Sequence, residues 1–297
     1  MNLGIEAIKE LKMPYSYFAG CKIPYFLPEY GSSTVALLDR FEIELRELEF
    51  NCCGYPVRDI DFQSFLLAGA RNLALAGQKN TDIVTPCKCC YGSLKFVEHY
   101  LKQREPVRDQ ISAMLRTEGL QWEGQTEVKH LLTVLHRDVG IDALRAAVVN
   151  PLDGLKVAIH TGCHALRPGN ITMYDNPFVP GIFDDLVAVT GAESVFWTMS
   201  TECCGNPQWD KNRKLALKQM QRKLQNARQA GADYLCTACT YCQMQFEPKS
   251  QSELIPQIDE QKIPAILISQ LIGLSIGLDE ETLGLKDDIR LKLLVSA

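Results

Sequence analysis

The sequence lacks the features of proteins that bind nucleic acids or span membranes. Its net charge is −5 and its 31 Lys and Arg residues are scattered, so it has no basic stripe of the kind that contacts phosphates. The longest apolar run, residues 263–278, is interrupted by Pro264, Ser269 and Gln270 and is short for a membrane span. The first 20 residues carry charges where a signal peptide has an apolar core. We expect a soluble cytoplasmic protein with no nucleic-acid partner and no direct membrane span.

The sequence is also too poor in cysteine to be a disulfide scaffold. Only 12 of its 297 residues are cysteine, well below the proportion in small disulfide-rich domains. A chain of this length with 46% apolar residues can bury a core without covalent crosslinks, and a reducing cytosol does not maintain them. The cysteines therefore serve either core packing or metal binding.

The cysteines that are present form a duplicated pattern. Each half contains a single cysteine, then an adjacent pair followed by glycine, then a Cys-x-x-Cys step. These residues are Cys21, Cys52, Cys53, Cys87 and Cys90 in the first half, and Cys163, Cys203, Cys204, Cys239 and Cys242 in the second. Flanking sequence agrees, because "TPCKCCYG" aligns with "TACTYCQM". Cys89 and Cys236 have no counterpart in the other half, and we predict that they are buried packing residues.

Short apolar runs alternate with helical patterns in the same order in both halves, which predicts an α/β fold of two pseudo-symmetric repeats. Each repeat is predicted to be a small parallel sheet with flanking helices. We place the first repeat at residues 13–102, a helical linker at 103–153, and the second repeat with a terminal extension at 154–297. Every shared cysteine follows a predicted strand, and ligands of such sheets gather at the carboxyl ends of the strands. We therefore expect each cysteine set to converge at that edge.

Five thiols in one place are more than a tetrahedral zinc ion accepts. An iron–sulfur cluster contains several metal atoms and can use a fifth thiolate, so this pattern favours iron–sulfur clusters over zinc. Zinc in one or both sites, and packing or disulfides alone, are the alternatives. Gly54 and Gly205, which follow the cysteine pairs, are predicted to let the chain turn sharply and pass close to the bound group.

The order of these motifs resembles the CCG domain pair in the B subunit of heterodisulfide reductase, including the version in sulfur-oxidising heterodisulfide reductase-like complexes. The resemblance covers nearly the whole chain. It implies two noncubane [4Fe-4S] clusters, each held by the five cysteines of one half, although related CCG proteins sometimes carry zinc in one repeat. It also implies that both clusters face one cavity where a disulfide is split. The implied electron donors are an iron–sulfur protein that resembles the C subunit of that enzyme and a flavoprotein that resembles its A subunit.

We therefore predict a catalytic subunit that performs disulfide/thiol or sulfane-sulfur redox chemistry on a small disulfide or persulfide substrate. One alternative is a subunit that relays electrons between a flavin or iron–sulfur partner and a membrane or quinone partner, and another is a zinc-stabilised scaffold. His160 and His164 flank the single cysteine of the second half and are candidate proton donors, with packing favoured for His160. A solvated position is favoured over substrate contact for Lys22, Lys88 and Arg167.

Overall fold

The computed structural model describes residues 14–247 and 263–285. Its first half contains the strands β1 (Tyr15–Tyr17), β2 (Leu45–Arg46), β3 (Asp82–Thr85) and β4 (Val128–His130). Its helices are α1 (Ile23–Phe26), α2 (Pro28–Arg40), α3 (Phe62–Gln78), α4 (Lys88–Gln103), α5 (Glu105–Arg116), α6 (Leu131–Thr133) and α7 (Ile141–Ala147). A short 3-10 helix covers Tyr55–Val57, and a π-helical segment, Val134–Gly140, joins α6 to α7.

The second half repeats this order. Its strands are β5 (Lys156–Ile159), β6 (Glu193–Ser194), β7 (Tyr234–Thr237) and β8 (Ala265–Leu267). Its helices are α8 (Gly169–Thr172), α9 (Ile182–Val189), α10 (Arg213–Gln229), α11 (Thr240–Phe246), α12 (Ile268–Ser275) and α13 (Glu280–Leu283), with a 3-10 helix at Asn206–Gln208. The predicted domains also include residue 13 and residues 248–262 and 286–297, which lie outside the described residues.

The two halves form two parallel sheets of the same topology. The strand order is β2-β1-β3-β4 in the first sheet and β6-β5-β7-β8 in the second, and all pairs are parallel. The long helices α3 and α10 begin at equivalent caps, where Asp61 accepts from the Ser64 amide and Asn212 from the Leu215 amide. The predicted α/β fold with two repeats is confirmed.

Each sheet has a fourth strand that the sequence patterns do not reveal. β4 lies within residues 103–153, for which the sequence predicts a helical linker, and it pairs with β3 so that His130 is level with Thr85. β8 pairs with β7 in the same way. A buried strand of three residues is too short to show a period of its own. The repeated unit of the structure therefore includes a fourth strand and the helix that follows it.

The halves interlock through helices that cross from one to the other. α2 of the first half packs against α12 and α13 of the second, where the Oγ atoms of Ser33 and Ser269 are 2.7 Å apart. α9 of the second half packs against α7 and the π-helical segment of the first, where His136 Nε2 is 2.9 Å from an oxygen of Asp185. Each half thus covers a helix of the other.

Among the residues described, no helix combines the length and the apolar character needed to cross a bilayer. The apolar run 263–278 is divided between β8 and α12.

Candidate metal centre

The five predicted cysteines of the first half lie together at the carboxyl ends of the strands, and we call them the first cysteine set. The single cysteine follows β1, the pair follows β2, and the Cys-x-x-Cys step begins α4. Cys21 Sγ is 3.6 Å from Cys52 Sγ. The thiols of Cys52 and Cys53, of Cys53 and Cys90, and of Cys90 and Cys87 are in turn close enough to shift each other's pKa. All five sulfur atoms therefore form one connected group.

The five cysteines of the second half, the second cysteine set, are connected in the same order. The thiols of Cys163 and Cys203, of Cys203 and Cys204, of Cys204 and Cys242, and of Cys242 and Cys239 are close enough to shift each other's pKa. The duplicated cysteine pattern of the sequence thus gives the same arrangement of sulfur atoms in both halves.

The two sets touch each other. Cys87 Sγ is 3.9 Å from Cys239 Sγ, and Cys89 Sγ is also 3.9 Å from Cys239 Sγ. Cys89 is buried as predicted, but it hydrogen bonds with both Cys87 and Cys239. Cys236 is buried within β7. The sulfur atoms of the two sets and of Cys89 are therefore neighbours in one continuous group.

The glycines after the cysteine pairs make the predicted sharp turns. Gly54 has φ +83° and Gly205 has φ +95°, in the left-handed region that favours glycine. The Gly205 amide donates to Cys203 Sγ at 3.4 Å, and the Gly54 amide donates to Cys52. A Cβ on Gly54 would lie 3.0 Å from a backbone oxygen of α3, and one on Gly205 3.1 Å from a backbone oxygen of α10. Their contact with a bound group stays a prediction.

Two other glycines, which the sequence reasoning did not single out, approach the sulfur atoms more closely. A Cβ on Gly20, with φ +68°, would lie 2.9 Å from Cys90 Sγ. A Cβ on Gly162, with φ +75°, would lie 3.9 Å from Cys242 Sγ. Each immediately precedes the single cysteine of its half, so "AGC" and "TGC" are the signals that would have found them.

The first cysteine of each adjacent pair has a strongly lowered pKa. Interactions with the thiols of Cys21 and Cys53, together with a hydrogen bond from the Gly54 amide, lower the pKa of Cys52 to about 3. The thiols of Cys163 and Cys204 lower the pKa of Cys203 in the same way, to about 2. Hydrogen bonds to the charged form cause both shifts. The first cysteine of each adjacent pair is therefore a preferred anion of its set, and in the first set Cys87 is another, because hydrogen bonds hold its pKa well below the usual value.

A buried histidine contacts the backbone just before the Cys-x-x-Cys step of each set. His130 Nε2 lies 3.0 Å from the Pro86 carbonyl oxygen and 3.1 Å from the Ala238 carbonyl oxygen, and these residues precede the first cysteine of each Cys-x-x-Cys step. Its Nδ1 accepts from the Leu132 amide, which leaves the proton on Nε2. Burial lowers the pKa of His130 to about 3. A single histidine in a polar segment gives no sequence signal of this role.

Two buried lysines border the second set. The prediction of a solvated position is wrong for Lys88, which is 2% exposed and donates to the Thr161 carbonyl at 2.8 Å. Lys223 of α10 is also buried, and its ammonium donates to the carbonyls of Met199 and Glu202. Burial lowers the pKa of both lysines to about 8. Lys223 was missed, although it lies within the buried stripe of an amphipathic helix.

His160 adds nitrogen to the surroundings of the second set. It is buried as predicted, and its ring packs edge-to-face on Phe246 with centroids 5.2 Å apart. Both of its ring nitrogens lack a hydrogen-bond partner within the described residues. Its ligand atom lies within 4.8 Å of the sulfurs of Cys204 and Cys242. In the aligned position of the first half stands Phe18, so the two surroundings differ.

A cleft of about 940 Å³ lies between the halves. Its walls come from the segments that follow the cysteines in both repeats: Lys22, Tyr25, Phe26, Tyr55, Pro56, Arg58, Asp59, His164, Asn206, Pro207, Gln208, Trp209, Asp210, Lys211, Tyr241, Met244 and Glu247. The Tyr55 ring contacts the rings of His164 and Tyr241, with centroids 4.8 Å and 5.5 Å away. Lys22 thus lies at the cleft, while Arg167 is exposed as predicted.

The cleft adjoins the second cysteine set directly. A smaller cavity beneath it is lined by all five cysteines of that set and by Cys89. His164, Pro207 and Tyr241 line both this cavity and the cleft. His164 Nδ1 is 3.3 Å from Cys163 Sγ, so this side chain connects sulfur to the cleft.

The donor sets fit an iron–sulfur group. Each offers five sulfur atoms gathered at one sheet edge, whereas a structural zinc site takes four ligands. Thiolates are the usual ligands of iron–sulfur clusters, and amides that donate to sulfur are common around them. The buried ammonium groups of Lys88 and Lys223 also suit an anionic group.

Comparisons with known proteins agree with this geometry. Residues 15–95 and 157–247 match the family profile of the cysteine-rich CCG domain. The chain is 31% identical to the B subunit of the ferredoxin/F(420)H(2)-dependent CoB-CoM heterodisulfide reductase of Methanosarcina acetivorans, over 92% of each protein. It is also 31% identical to the 8-methylmenaquinol:fumarate reductase membrane anchor subunit of Wolinella succinogenes, over 94% of this chain and 98% of that one.

A crystal structure of a hypothetical protein from Helicobacter pylori has the same fold. The TM-score is 0.71 at 15% sequence identity, and the match covers 95% of this chain and 55% of that one. The repeated cysteine geometry, the family profile and the relatives lead to the same assignment: the chain belongs to the CCG-domain family and is related along nearly its whole length to the B subunit of heterodisulfide reductase.

Proposed function

We propose that this protein is the catalytic subunit of a heterodisulfide reductase-like complex and acts on the S–S bond of a small disulfide or persulfide. The observation that carries the proposal is the contact between two five-cysteine sets beside a single cleft built from both halves. The similarity to the B subunit of heterodisulfide reductase supports an oxidoreductase of sulfur groups with partner subunits. Catalysis by this protein itself is the part that experiment must establish.

In this proposal each cysteine set holds one noncubane [4Fe-4S] cluster. When bound, the two clusters supply electrons one at a time. Reduction of a disulfide consumes two electrons and two protons, breaks one S–S bond and yields two thiols. Two donor sets in contact therefore match the electron count of the reaction. The preferred thiolates, Cys52 and Cys203, and the amides of Gly54 and Gly205 would support the ligation of each cluster.

The cleft suits a small substrate that has both apolar and polar groups. Its volume is in the range of small-molecule sites, and its walls include the aromatic rings of Tyr25, Phe26 and Trp209. The charged lining is mixed: Lys22, Arg58 and Lys211 are accompanied by Asp59, Asp210 and Glu247, and Lys211 Nζ is 3.6 Å from an oxygen of Asp59. The role of these side chains is to bind and orient the substrate so that its S–S bond faces the sulfur-rich floor.

Two side chains stand where product thiolates would take up protons. Lys22 and His164 follow the single cysteines of the two halves, and both line the cleft. Burial lowers the pKa of His164, so its imidazole is neutral at neutral pH. It can therefore pass a proton to a product thiolate only while it takes up another proton. Lys22 and His164 therefore offer one proton-bearing group on each side of the pseudo-symmetric cleft.

We propose that the direct electron donor is an iron–sulfur protein like the C subunit of heterodisulfide reductase, with a flavoprotein like the A subunit behind it, in a cytoplasmic complex. A second candidate is a relay that passes electrons to or from a quinone-linked partner. The similarity to the Wolinella succinogenes membrane anchor subunit of 8-methylmenaquinol:fumarate reductase favours this alternative.

Metal analysis and EPR of anaerobically purified protein test the proposal. We expect on the order of eight iron atoms per chain, and a signal of the oxidised protein that changes when a disulfide or persulfide is added. Cys53→Ala should lose the iron of one site, whereas the matched control Cys236→Ala, which removes a buried cysteine outside both sets, should retain all of it. Zinc alone would refute the redox proposal. A full iron complement with no response to any such substrate would favour the relay.

A further inference from the structure

The two cysteine sets have the same sulfur geometry but different charged surroundings. Helices α3 and α10 are equivalent in the two repeats, and Asn72 of α3 occupies the position that Lys223 occupies in α10. Asn72 donates to the carbonyl of Asn51, just before the first cysteine pair, at 3.3 Å. Lys223 donates to the carbonyl of Glu202, just before the second pair, at 3.1 Å. The same loop is thus held by a neutral amide in one half and by an ammonium in the other.

A second exchange of this kind occurs where the helices of the Cys-x-x-Cys steps begin. Lys88 follows Cys87, and Thr240 occupies the equivalent position after Cys239. Each of these side chains crosses to the opposite half. The Thr240 hydroxyl is 3.0 Å from Cys87 Sγ in the first set, while the Lys88 ammonium bonds to the Thr161 carbonyl beside the second set. The first set therefore receives a hydroxyl and the second receives a positive charge.

No ion pair within 4 Å joins either ammonium to a carboxylate in the described part of the chain, although the charge of Glu202 acts on Lys223 from farther away. Both bond to backbone carbonyls, and each lies against an aromatic ring: Phe183 at 4.6 Å for Lys88 and Trp197 at 4.9 Å for Lys223. The sulfur atoms that interact most strongly with these ammonium groups belong to the second set: Cys242 for Lys88 and Cys204 for Lys223. Burying an unpaired charge is costly unless an opposite charge is nearby.

The first set has no buried ammonium of this kind among the described residues. Its nearest lysine, Lys22, lies at the cleft with its ammonium 4.9 Å from the centre of the Phe26 ring. Water and salt screen an exposed charge far more than a buried one. The second set therefore has two buried positive charges beside it, whereas the first set has one positive charge that solvent screens.

We propose that Lys88 and Lys223 make the second site the better electron acceptor, so that the first electron to enter the protein resides there. An iron–sulfur group becomes more negative when it is reduced, and nearby positive charge stabilises the reduced form. This inference rests on the proposed function, because it requires a redox-active group in each site. The electron comes from the iron–sulfur partner in the complex, and from dithionite in the experiment below.

The test is an anaerobic redox titration monitored by EPR, in which the second-site wave is the one that survives in Cys53→Ala protein. Lys223→Asn and Lys88→Thr give the second site the residues of the first. We expect each to lower the second-site midpoint by about tenfold in the electron-uptake equilibrium, or about 59 mV, and to leave the first-site midpoint in place. Lys218→Asn, which removes an exposed lysine of the same helix, is the matched control.

Several results would overturn the inference. One is an unchanged second-site midpoint in both variants at wild-type iron content, and another is an equal shift of both sites. Loss of second-site iron in both variants, and also in Lys223→Met, would assign the lysines a structural role instead. Failure of the proposed function is distinguishable, because wild-type protein would then contain no iron or give no redox wave at all.

Discussion

Cys87 and Cys239, separated by 152 residues, place their Sγ atoms 3.9 Å apart at the boundary between the two repeats. Each is the first cysteine of a Cys-x-x-Cys step and the cap residue of a helix, α4 or α11. The two donor sets are therefore neighbours through their sulfur atoms and not only through the surrounding protein.

This contact predicts magnetic interaction between the two sites. Paramagnetic centres whose ligand sulfurs are in van der Waals contact should couple, so the EPR spectrum of wild-type protein should not equal the sum of two single-site spectra. Cys53→Ala and Cys204→Ala supply those single-site spectra, since each removes a buried member of one set. A wild-type spectrum that is reproduced by simple addition would contradict the prediction.

His160 predicts a chemical difference between the two sites. Its unpartnered nitrogens lie near Cys204 and Cys242, and the first half has Phe18 in the same position. We expect His160→Phe to change the iron content or the EPR signal of the second site alone, because an aromatic ring of similar shape keeps the packing on Phe246 but removes both nitrogens. Metal analysis with EPR is the measurement. His136→Phe, at a histidine remote from the sulfur atoms that pairs with Asp185, is the control.

We predict that the first site binds iron only when residue 20 has no side chain. Gly20→Ala should lose first-site iron, because the added Cβ would lie 2.9 Å from Cys90 Sγ. Gly119→Ala is a matched control: its φ of +70° imposes the same backbone strain, about 1–2 kcal/mol, but no atom lies within 4 Å of its Cβ. Iron analysis of both variants checks this. Equal iron content in the two would show that only backbone strain matters.

His130 predicts a pH dependence of stability with a definite sign. Its pKa is about 3 in the folded protein and about 6.5 when unfolded, so the unfolded chain binds more protons between these values. Its contribution is fully present above pH 6.5 and falls by about 1.4 kcal/mol per pH unit as the pH drops towards 3. The thermal midpoint of His130→Gln should therefore depend less on pH than that of the wild type between pH 7.5 and 5.5.

The comparison of the two midpoints is informative because His160 and His164 also have lowered pKa values and are present in both proteins. Parallel pH profiles for the wild type and His130→Gln would contradict the prediction. The glutamine amide can still donate to one of the two carbonyls, so the variant tests the imidazole rather than the hydrogen bond alone.

The sequence was sufficient for the features that are repeated along it. The matched cysteine pairs predict two sulfur-rich sites at strand ends, as do Cys21 and Cys163, each in its own "GC" context. The structure brings the cysteines of each half together. Parallel sheets follow from the alternation of strands and helices. These inferences succeed because duplicated local patterns fold into duplicated local geometry.

Features that depend on contact between the repeats were not accessible in this way. Lys88 was expected in solvent because a lysine after a cysteine is usually exposed, but it crosses to Thr161 of the other half. The carbonyls bridged by His130 belong to residues 44 and 108 positions away. β4 and β8 are too short to have a periodicity of their own. Packing of one repeat on the other determines the positions of Lys88 and of the Ala238 carbonyl, whereas pairing within each sheet determines those of β4 and β8.

The crossing helices have an evolutionary consequence. Since α2 is covered by α12 and α13, and α9 by α7 and the π-helical segment, a lone repeat would expose apolar surface that its twin normally shields. An ancestor encoding a single repeat would have needed to associate with an identical copy. Fusion of two such genes into one reading frame would free each copy to diverge, and the different residues at the equivalent positions of Asn72 and Lys223 are consistent with such divergence.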